Sequence, residues 1–416
     1  MPWFLYLALK QLFPSGKRFP FFTAISVAGV ALGVMVLIVT TSVMGGFHYQ
    51  IREMIVDSEG EVQVQSQGLL ADYRAVMKAV EAVPGVAGAT PYASAAVMLQ
   101  YQGHPAYPQL SGIDPASIER VTNLRKYLVI GSLDDLDDSS VILGVTLANS
   151  LGVTVGDQVE IYSPLAIQKY NASGEIFLPR SVRVAGIIEF GHQQLDTSTV
   201  YGTLRLVQDL YGLGSEVHGL YVRLVPGLNE DEGAKRINAA LARDEDLPRD
   251  LRARSWEDVW SDFLWILNLE KSMIFFMLFI IVIVAAFSVT SSLLISVIRK
   301  TREIGLLGAL GARPGQVAAC FCIQGLFIGV LGTLVGLGLG FGALAIRNDV
   351  VMGIARATQR TEVLQRFYQF SQLPAHTAPG DVVKTVVLTI IVSVLAGLLP
   401  AWRAARLKPV EALRNE

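Results

Sequence analysis

The sequence predicts an α-helical membrane protein with four transmembrane helices and a large α/β domain inserted between the first and second. Three observations carry this. The 416 residues are 52% hydrophobic and 17% charged, which is apolar for a soluble chain. Residues 19–47, 272–298 and 314–346 contain no charged side chain, and each exceeds the roughly 20 residues that cross a hydrocarbon layer of about 30 Å. The long stretch between the first two runs is polar and changes repeatedly between strand and helix spacing.

Taken in order, residues 1–18 form an elbow. Met1 to Phe13 is a short apolar helix with a polar edge, suited to the membrane interface. The first span, 19–47, follows Lys17 and Arg18 as a signal peptide would. It is much longer than a signal core of roughly 7–15 residues, and no small-x-small cleavage site follows, so it is read as a retained span.

Residues 48–270 form the α/β domain. Glu61 to Ser66 alternates as a strand, and Tyr73 to Val83 has helical spacing ending at Pro84-Gly85. Ala89 to Gln100 is strand-like before a turn at Gln102-Gly103. Ser140 to Gly144 predicts a strand, Val145 to Leu151 a helix, and Gln158 to Tyr162 and Arg180 to Phe190 two strands. Leu204 to Tyr211 is helical, Leu220 to Val225 a strand, and Glu230 to Ala242 an amphipathic helix. The middle is richer in strands than the ends, which predicts two lobes, with residues 97–207 as an inserted β-rich lobe. Residues 163–179 join two strands and are longer than a tight hairpin needs. Trp256, Trp260, Phe263, Leu264 and Leu267 make one apolar helix face, predicted to rest on the membrane surface before the second span.

The second span is 272–298, and 299–316 is a short basic segment with a small, apolar middle. The third span, 317–346, carries Gly325, Gly329, Gly332, Gly336, Gly338, Gly340 and Gly342, several of them four apart, a spacing that admits close helix contact. A loop at 347–381 leads to the fourth span, 382–402, where Lys384 is placed to snorkel, and 403–416 is a tail. Cys320 and Cys322 lie two apart in the third span and point to different sides, as packing residues rather than a disulfide or metal pair.

Charge placement orients the chain. The elbow, the 299–316 segment and the tail hold eleven Lys and Arg against three Glu, which assigns all three to the cytoplasm. Residues 45–270, with 17 basic and 30 acidic residues and hence a net charge of −13, then lie outside. Arg347, Arg356, Arg360, Arg366 and Lys384 weaken the asymmetry locally without reversing it.

Several chemistries lack their residues. Ser15-Gly16-Lys17-Arg18 lacks the earlier glycine and the following hydroxyl of a phosphate-cradling loop. The five histidines show no metal spacing, and no Gly-x-Ser-x-Gly elbow occurs. No charge interrupts the three long spans, which argues against an ion relay. A membrane protein without a nucleotide site, but with a docking segment on one side and a large domain on the other, suggests transmission driven by a separate protein.

Several motifs fit one family. They are Ile25-Ser26-Val27-Ala28-Gly29-Val30-Ala31-Leu32-Gly33-Val34, Ser42-Val43-Met44-Gly45-Gly46-Phe47, Leu269-Glu270-Lys271 with Ala285-Ala286-Phe287, Lys300 to Ala312, and Pro400-Ala401-Trp402-Arg403-Ala404-Ala405-Arg406 with Pro409-Val410-Glu411-Ala412-Leu413. Together they resemble the LolC/LolE permeases of the lipoprotein-releasing ABC transporter, within the FtsX/MacB-like group. The closing motif identifies only the broad group; the opening, the Leu-Glu-Lys motif and the size of the external domain favour the lipoprotein-releasing branch. The family often has Asn where Gly46 stands and a basic residue at the position of Gly308.

The resemblance implies a MacB-like periplasmic domain in a multi-pass protein of the bacterial inner membrane, with both termini cytoplasmic. It implies a non-catalytic subunit that binds no cofactor, paired with a second permease copy or a paralogue. Two copies of a LolD-like ATPase would supply ATP and magnesium chemistry. Lys300, Thr301, Arg302, Glu303, Ile304, Leu306, Leu307, Gly311 and Ala312 would form the coupling helix. Met44, Phe47, Ile274, Phe275 and Met277 would meet lipoprotein acyl chains among the membrane lipids. A LolA-like carrier would meet the loop containing Pro164, Leu165, Ile167, Tyr170, Ile176, Phe177, Pro179 and Arg180, although its sequence departs from the expected hook. No nucleic acid is implied. Two alternatives stay open: a MacB-like exporter of another cargo, and an FtsX-like regulator of periplasmic hydrolases.

Overall fold

The computed structural model describes residues 3–12, 21–163, 179–357 and 374–407. The chain divides into two compact units. One comprises the membrane helices (Met1–Tyr49, Ile266–Val363 and Gln372–Glu416), and the other is built on Gln50–Trp265.

Among the described residues, four helices are long and apolar enough to cross a membrane: Phe21–Glu59, Ser261–Arg299, Pro314–Ala345 and Pro379–Ala405. The first two are each 39 residues long, so they run well beyond the uncharged stretches 19–47 and 272–298. Their extra turns carry charged residues, from Arg52 to Glu59 on the first and from Asp262 to Lys271 on the second, so the sequence boundaries at 47 and 272 mark the end of apolarity rather than the end of a helix.

Five glycines of the third span, Gly325, Gly329, Gly332, Gly336 and Gly340, bring its backbone close to other helices of the membrane unit, whereas a Cβ added at Gly338 or Gly342 meets nothing within 4 Å. A Cβ added at Gly329 would lie 2.6 Å from the Ser393 Cβ on the fourth span, and one at Gly325 would lie 2.8 Å from the Ser393 carbonyl oxygen. Gly332 and Gly336 face the first span, where an added Cβ would come within 2.7 Å of the Val30 Cβ and the Val34 Cβ respectively. These backbones approach as closely as small-xxx-small helix pairs do. Val30, Val34, Ile38, Val289, Leu293, Ile328, Leu344 and Ala396 fill the space around this seam. Several hydroxyls in the spans bond to the preceding turn, while Thr290 and Ser292 donate to the Ala396 and Phe22 carbonyls of other helices. Thr41 donates to the Leu37 carbonyl at 2.7 Å, Thr333 to Gly329 at 2.7 Å and Thr389 to Thr385 at 2.8 Å, so these three protons are paired in an apolar surrounding.

The described residues of the α/β unit form one hydrogen-bonded sheet of twelve strands: β1 (Val62–Leu70), β2 (Val86–Ala96), β3 (Met98–Tyr101), β4 (His104–Ala106), β5 (Gln109–Ile113), β6 (Leu128–Gly131), β7 (Ser140–Gly144), β8 (Gln158–Tyr162), β9 (Arg180–Ile188), β10 (Thr199–Thr203), β11 (Val217–Leu224) and β12 (Arg252–Ser255). Their order is β12-β1-β11-β2-β5-β10-β7-β9-β8-β3-β4, with β6 paired to β9. The two ends of the segment supply β12-β1-β11-β2, and the middle supplies the rest. The expected two lobes are therefore continuous. The β2–β5 ladder, from Tyr92↔Ile113 to Ala96↔Gln109, joins them, and one apolar cluster runs from Val62 and Ile237 to Val159 and Val182. Helices Tyr73–Glu81, Leu204–Tyr211 and Glu230–Leu241 start at Asp72, Thr203 and Asn229, whose side chains accept first-turn N–H groups. Such caps are worth about 1 kcal/mol each.

The predicted interfacial helix is corrected. Trp256 is only 4% exposed and begins a single turn, Trp256–Val259, capped by the Ser255 hydroxyl. The Trp260 indole N–H donates to Glu59 Oε2 at 2.9 Å. Both rings turn into the α/β unit because burial there removes their apolar area from water; the exposed tryptophan of this stretch is Trp265. The buried Asp57 carboxylate accepts from Asn123 Nδ2 at 2.6 Å, Tyr127 OH at 2.9 Å and Lys126 Nζ at 3.2 Å. Glu59 and Asp57 thus tie the last turns of the first long helix to the domain.

Candidate functional site: the coupling helix and the membrane seam

The segment after the second span folds as a helix, Thr301–Ala309, and its ends are set by local chemistry. The Thr301 hydroxyl donates to the carbonyls of Val297 at 3.1 Å and Ile298 at 2.9 Å, linking it to the span above. At the other end the Gly311 N–H donates to Gly308 O at 3.1 Å and the Ala312 N–H to Leu307 O at 3.0 Å. That pair of bonds is a Schellman motif, and it needs the φ of +96° that Gly311 adopts. Arg313 and Pro314 then open the third span, with the Arg313 N–H donating to Gln316 Oε1 at 3.0 Å.

This geometry gives the helix two faces. Ile304, only 6% exposed, packs with Val297, Val317, Phe321, Ala401 and Ala404, with Ala312 half-buried at the edge. Ile304 is therefore corrected from a partner contact to the residue that seats the helix on the spans. Gly305 beside it is buried too. The outward face carries Arg302, Glu303, Leu306 and Ala309, followed by Leu310 and Arg313. Leu306 is 54% exposed and Leu310 77%. Leu310, the C-cap of this helix, and Arg313, the N-cap of the third span, are exposed beside this face and were not among the residues expected from the sequence. Lys300 Nζ lies 3.7 Å from Glu303 Oε2, and Leu307 is half-buried.

At the other end of the spans, the first and second helices meet along a seam. An added Cβ at Gly33 would touch the Ala285 Cβ at 4.0 Å, and Leu37 packs with Leu278 and Val282, with Ile274 half-buried beside them. Phe275 (37% exposed) and Met277 (62%) are open on the second span with Met273 and Phe276. Met44 and Phe47 are half-buried on the first. Residues 374–377 cross the outer turns of the first span. The His376 N–H donates to Ser42 O at 2.9 Å, the Thr377 hydroxyl to Ser42 Oγ at 2.8 Å, and the His376 ring stacks on Tyr49 with centroids 4.9 Å apart. Gly45 and Gly46 admit this crossing, since a Cβ at Gly46 would lie 2.5 Å from the Ala375 backbone nitrogen. Lys271 Nζ pairs with Asp381 Oδ2 at 3.2 Å, joining the outer ends of the second and fourth spans.

Of the predicted carrier loop, Pro164, Leu165, Ile167, Tyr170, Ile176 and Phe177 lie outside the described residues. Its base is the antiparallel β8–β9 ladder, where Arg180 pairs with Ile161. The Arg180 guanidinium donates to Asp138 O at 2.8 Å and lies 3.4 Å from Asp209 Oδ2, so it braces the strand; Pro179 precedes it without regular structure.

The profile of the MacB-like periplasmic core domain matches residues 23–240, and that of the FtsX-like permease C-terminal region matches residues 275–409. These define the class as an ABC-transporter permease of the FtsX/MacB-like group. The chain is 30% identical to the lipoprotein-releasing system transmembrane protein LolC of Neisseria meningitidis, over 95% of this chain and 94% of that one. LolC of Xylella fastidiosa (strain 9a5c) gives 30% with the same coverage, and LolE of Haemophilus influenzae 25% over 94% and 93%. The chain belongs to the LolC/LolE family. The crystal structure of the periplasmic region of MacB from Actinobacillus actinomycetemcomitans is 14% identical, covers 52% of this chain and 97% of that one, and has a TM-score of 0.35.

Proposed function

We propose that this chain is the permease subunit of a transporter that takes lipoproteins from the outer leaflet of the inner membrane and releases them toward a periplasmic carrier. The end-to-end likeness to LolC supports this reading, and the two-faced coupling helix supplies its mechanism. A cytoplasmic LolD-like ATPase, in two copies, grips the stripe from Arg302 to Arg313. Because Ile304 is wedged among Val297, Val317, Phe321 and Ala401, a push on the stripe moves the inner ends of the second, third and fourth spans together. The charge placement supports a cytoplasmic position for this helix and for both termini.

Lipid anchors enter along the open face of the second span, meeting Phe275 and Met277, with Met44, Phe47 and Ile274 beside them. A second permease, either a copy or a paralogue, closes the other side. Each acyl CH2 leaving the bilayer costs about 0.8 kcal/mol, so a triacyl anchor is not released without coupled energy. That explains the need for ATP and magnesium in the partner and for no covalent chemistry in this chain. The loop at 163–179 is the place for the carrier. The test is reconstitution of the full chain with its permease partner, the ATPase and a lipoprotein in vesicles. ATP should transfer lipoprotein to soluble carrier; ATP hydrolysis without transfer would contradict the reading.

A further inference from the structure

A cleft of about 190 Å³ opens between the elbow helix (Trp3–Leu12), the coupling helix and the start of the third span. Its walls are Trp3, Leu7, Ile304, Leu307, Val317 and Phe321, with Cys320 deeper and Glu303 at the rim. The lining is almost entirely apolar. It is comparable in size with an apolar cavity of about 150 Å³ that stays dry and accepts a benzene-sized ligand, so it has room for several methylenes.

Two features say what fits. First, each helical wall continues into a lysine. Trp3, Leu7 and Lys10 fall at i, i+4 and i+7 on one face of the elbow, and Lys300, Glu303 and Leu307 at i, i+3 and i+7 on the coupling helix. Lys10 is exposed and lies 5.5 Å from the Tyr6 ring centroid. Glu303 offsets part of the Lys300 charge at 3.7 Å, leaving Lys10 as the freer cation. Second, the cleft sits where the spans end and an aromatic elbow begins, the depth at which headgroups meet chains. An apolar slot flanked by cations at that depth suits an amphiphile with an anionic head.

We propose that the cleft holds an acyl chain of an anionic phospholipid, drawn from the leaflet on the coupling-helix side, with its phosphate near Lys10 and Lys300. The bound lipid fills the gap under the coupling helix, so that the helix, the elbow and the third span move as one piece. This rests on the membrane placement of the spans and not on the lipoprotein cargo.

The test uses the full chain in nanodiscs of phosphatidylcholine doped with phosphatidylglycerol, followed by native mass spectrometry of retained lipid. Phosphatidylglycerol should be retained in preference to phosphatidylcholine. Lys10→Ala should cut that preference about five-fold, as expected for about 1 kcal/mol per surface lysine. Leu7→Trp, which fills the cleft, should abolish retention. Should that variant misfold, brominated acyl chains on phosphatidylglycerol provide the check in the unfilled protein. They should quench the part of the fluorescence lost in Trp3→Phe, and more strongly than brominated phosphatidylcholine does. Retention unchanged by Leu7→Trp, equal retention of the two lipids, or an unquenched Trp3 would each overturn the proposal. So would displacement of the lipid on adding the ATPase subunit, because the occupant would then be protein.

Discussion

Gly329→Ala tests the helix seam with a single methyl group. The added Cβ would lie 2.6 Å from the Ser393 Cβ and 2.8 Å from its Oγ, and the next atom, the Ile390 Cα, is 4.0 Å away. Carbon atoms pack at about 3.5–4.0 Å, and no rotamer of Ser393 moves its Cβ, so the third and fourth spans must part by about 1 Å. Overpacking of this kind costs about 1–3 kcal/mol. The clash is confined to one side chain, so Ser393→Gly should relieve most of it, and the pair should show a coupling of similar size in a double-mutant cycle. Gly338→Ala is the matched control, because a Cβ there meets nothing within 4 Å. Thermal unfolding of the full protein in nanodiscs reads the result. Gly329→Ala should lower the midpoint, Ser393→Gly should restore it in the double variant, and Gly338→Ala should leave it level or raise it. Equal effects of Gly329→Ala and Gly338→Ala, or no rescue, would refute the seam.

Further outcomes follow from other sites. Leu310→Asp and Glu303→Lys should each abolish co-purification of the ATPase while the protein stays inserted, whereas Leu339→Ala, on an exposed face of the third span, should leave it intact. Ile304→Asp should lower thermal stability by about 3 kcal/mol or more, since it buries a charge without a partner; loss of ATPase binding at unchanged stability would contradict its seating role. Asp196 is buried and accepts the N–H groups of Phe190 at 2.8 Å and Gly191 at 3.1 Å, yet burial pushes its carboxyl up to about 6. A raised folded pKa means that the native state holds the extra proton. The associated stability is full below about 4 and is lost as the pH rises through about 6. Asp196→Asn should flatten that part of the pH–stability curve, as read by denaturant unfolding of the full chain between pH 4 and 7.

The spans were legible because absence of charge over more than 20 residues has few other physical meanings. The continuation of the first helix to Glu59 was not, because residues 50–59 mix charged side chains with the buried Ile51, Met54, Ile55 and Val56 and their helix is held by partners distant in sequence, such as Asn123 and Trp260. Strands with strong alternation, such as β8 and β9, were visible. β5, β10 and β12 were not, because Gln-Leu-Ser-Gly-Ile, Thr-Val-Tyr-Gly-Thr and Arg-Ala-Arg-Ser carry few apolar side chains and are fixed by their neighbours in the sheet. The stretch read as an interfacial helix shows the limit of periodicity: an apolar stripe says that a face is buried, not whether protein or lipid buries it. The same ambiguity misplaced Ile304, since the coupling helix has an apolar face toward the spans and a second apolar row, Leu306 and Leu310, facing out. The glycine spacing pointed to a close helix contact; only the three-dimensional arrangement shows that Gly325 and Gly329 serve the fourth span while Gly332, Gly336 and Gly340 serve the first.

The central claim, lipoprotein release, is tested most directly by depleting this protein and separating inner from outer membranes. Outer-membrane lipoproteins should accumulate in the inner membrane, and expression of the intact chain, but not of Leu310→Asp, should restore their transfer. Normal lipoprotein sorting under depletion, with a defect instead in septation or in drug resistance, would contradict the account.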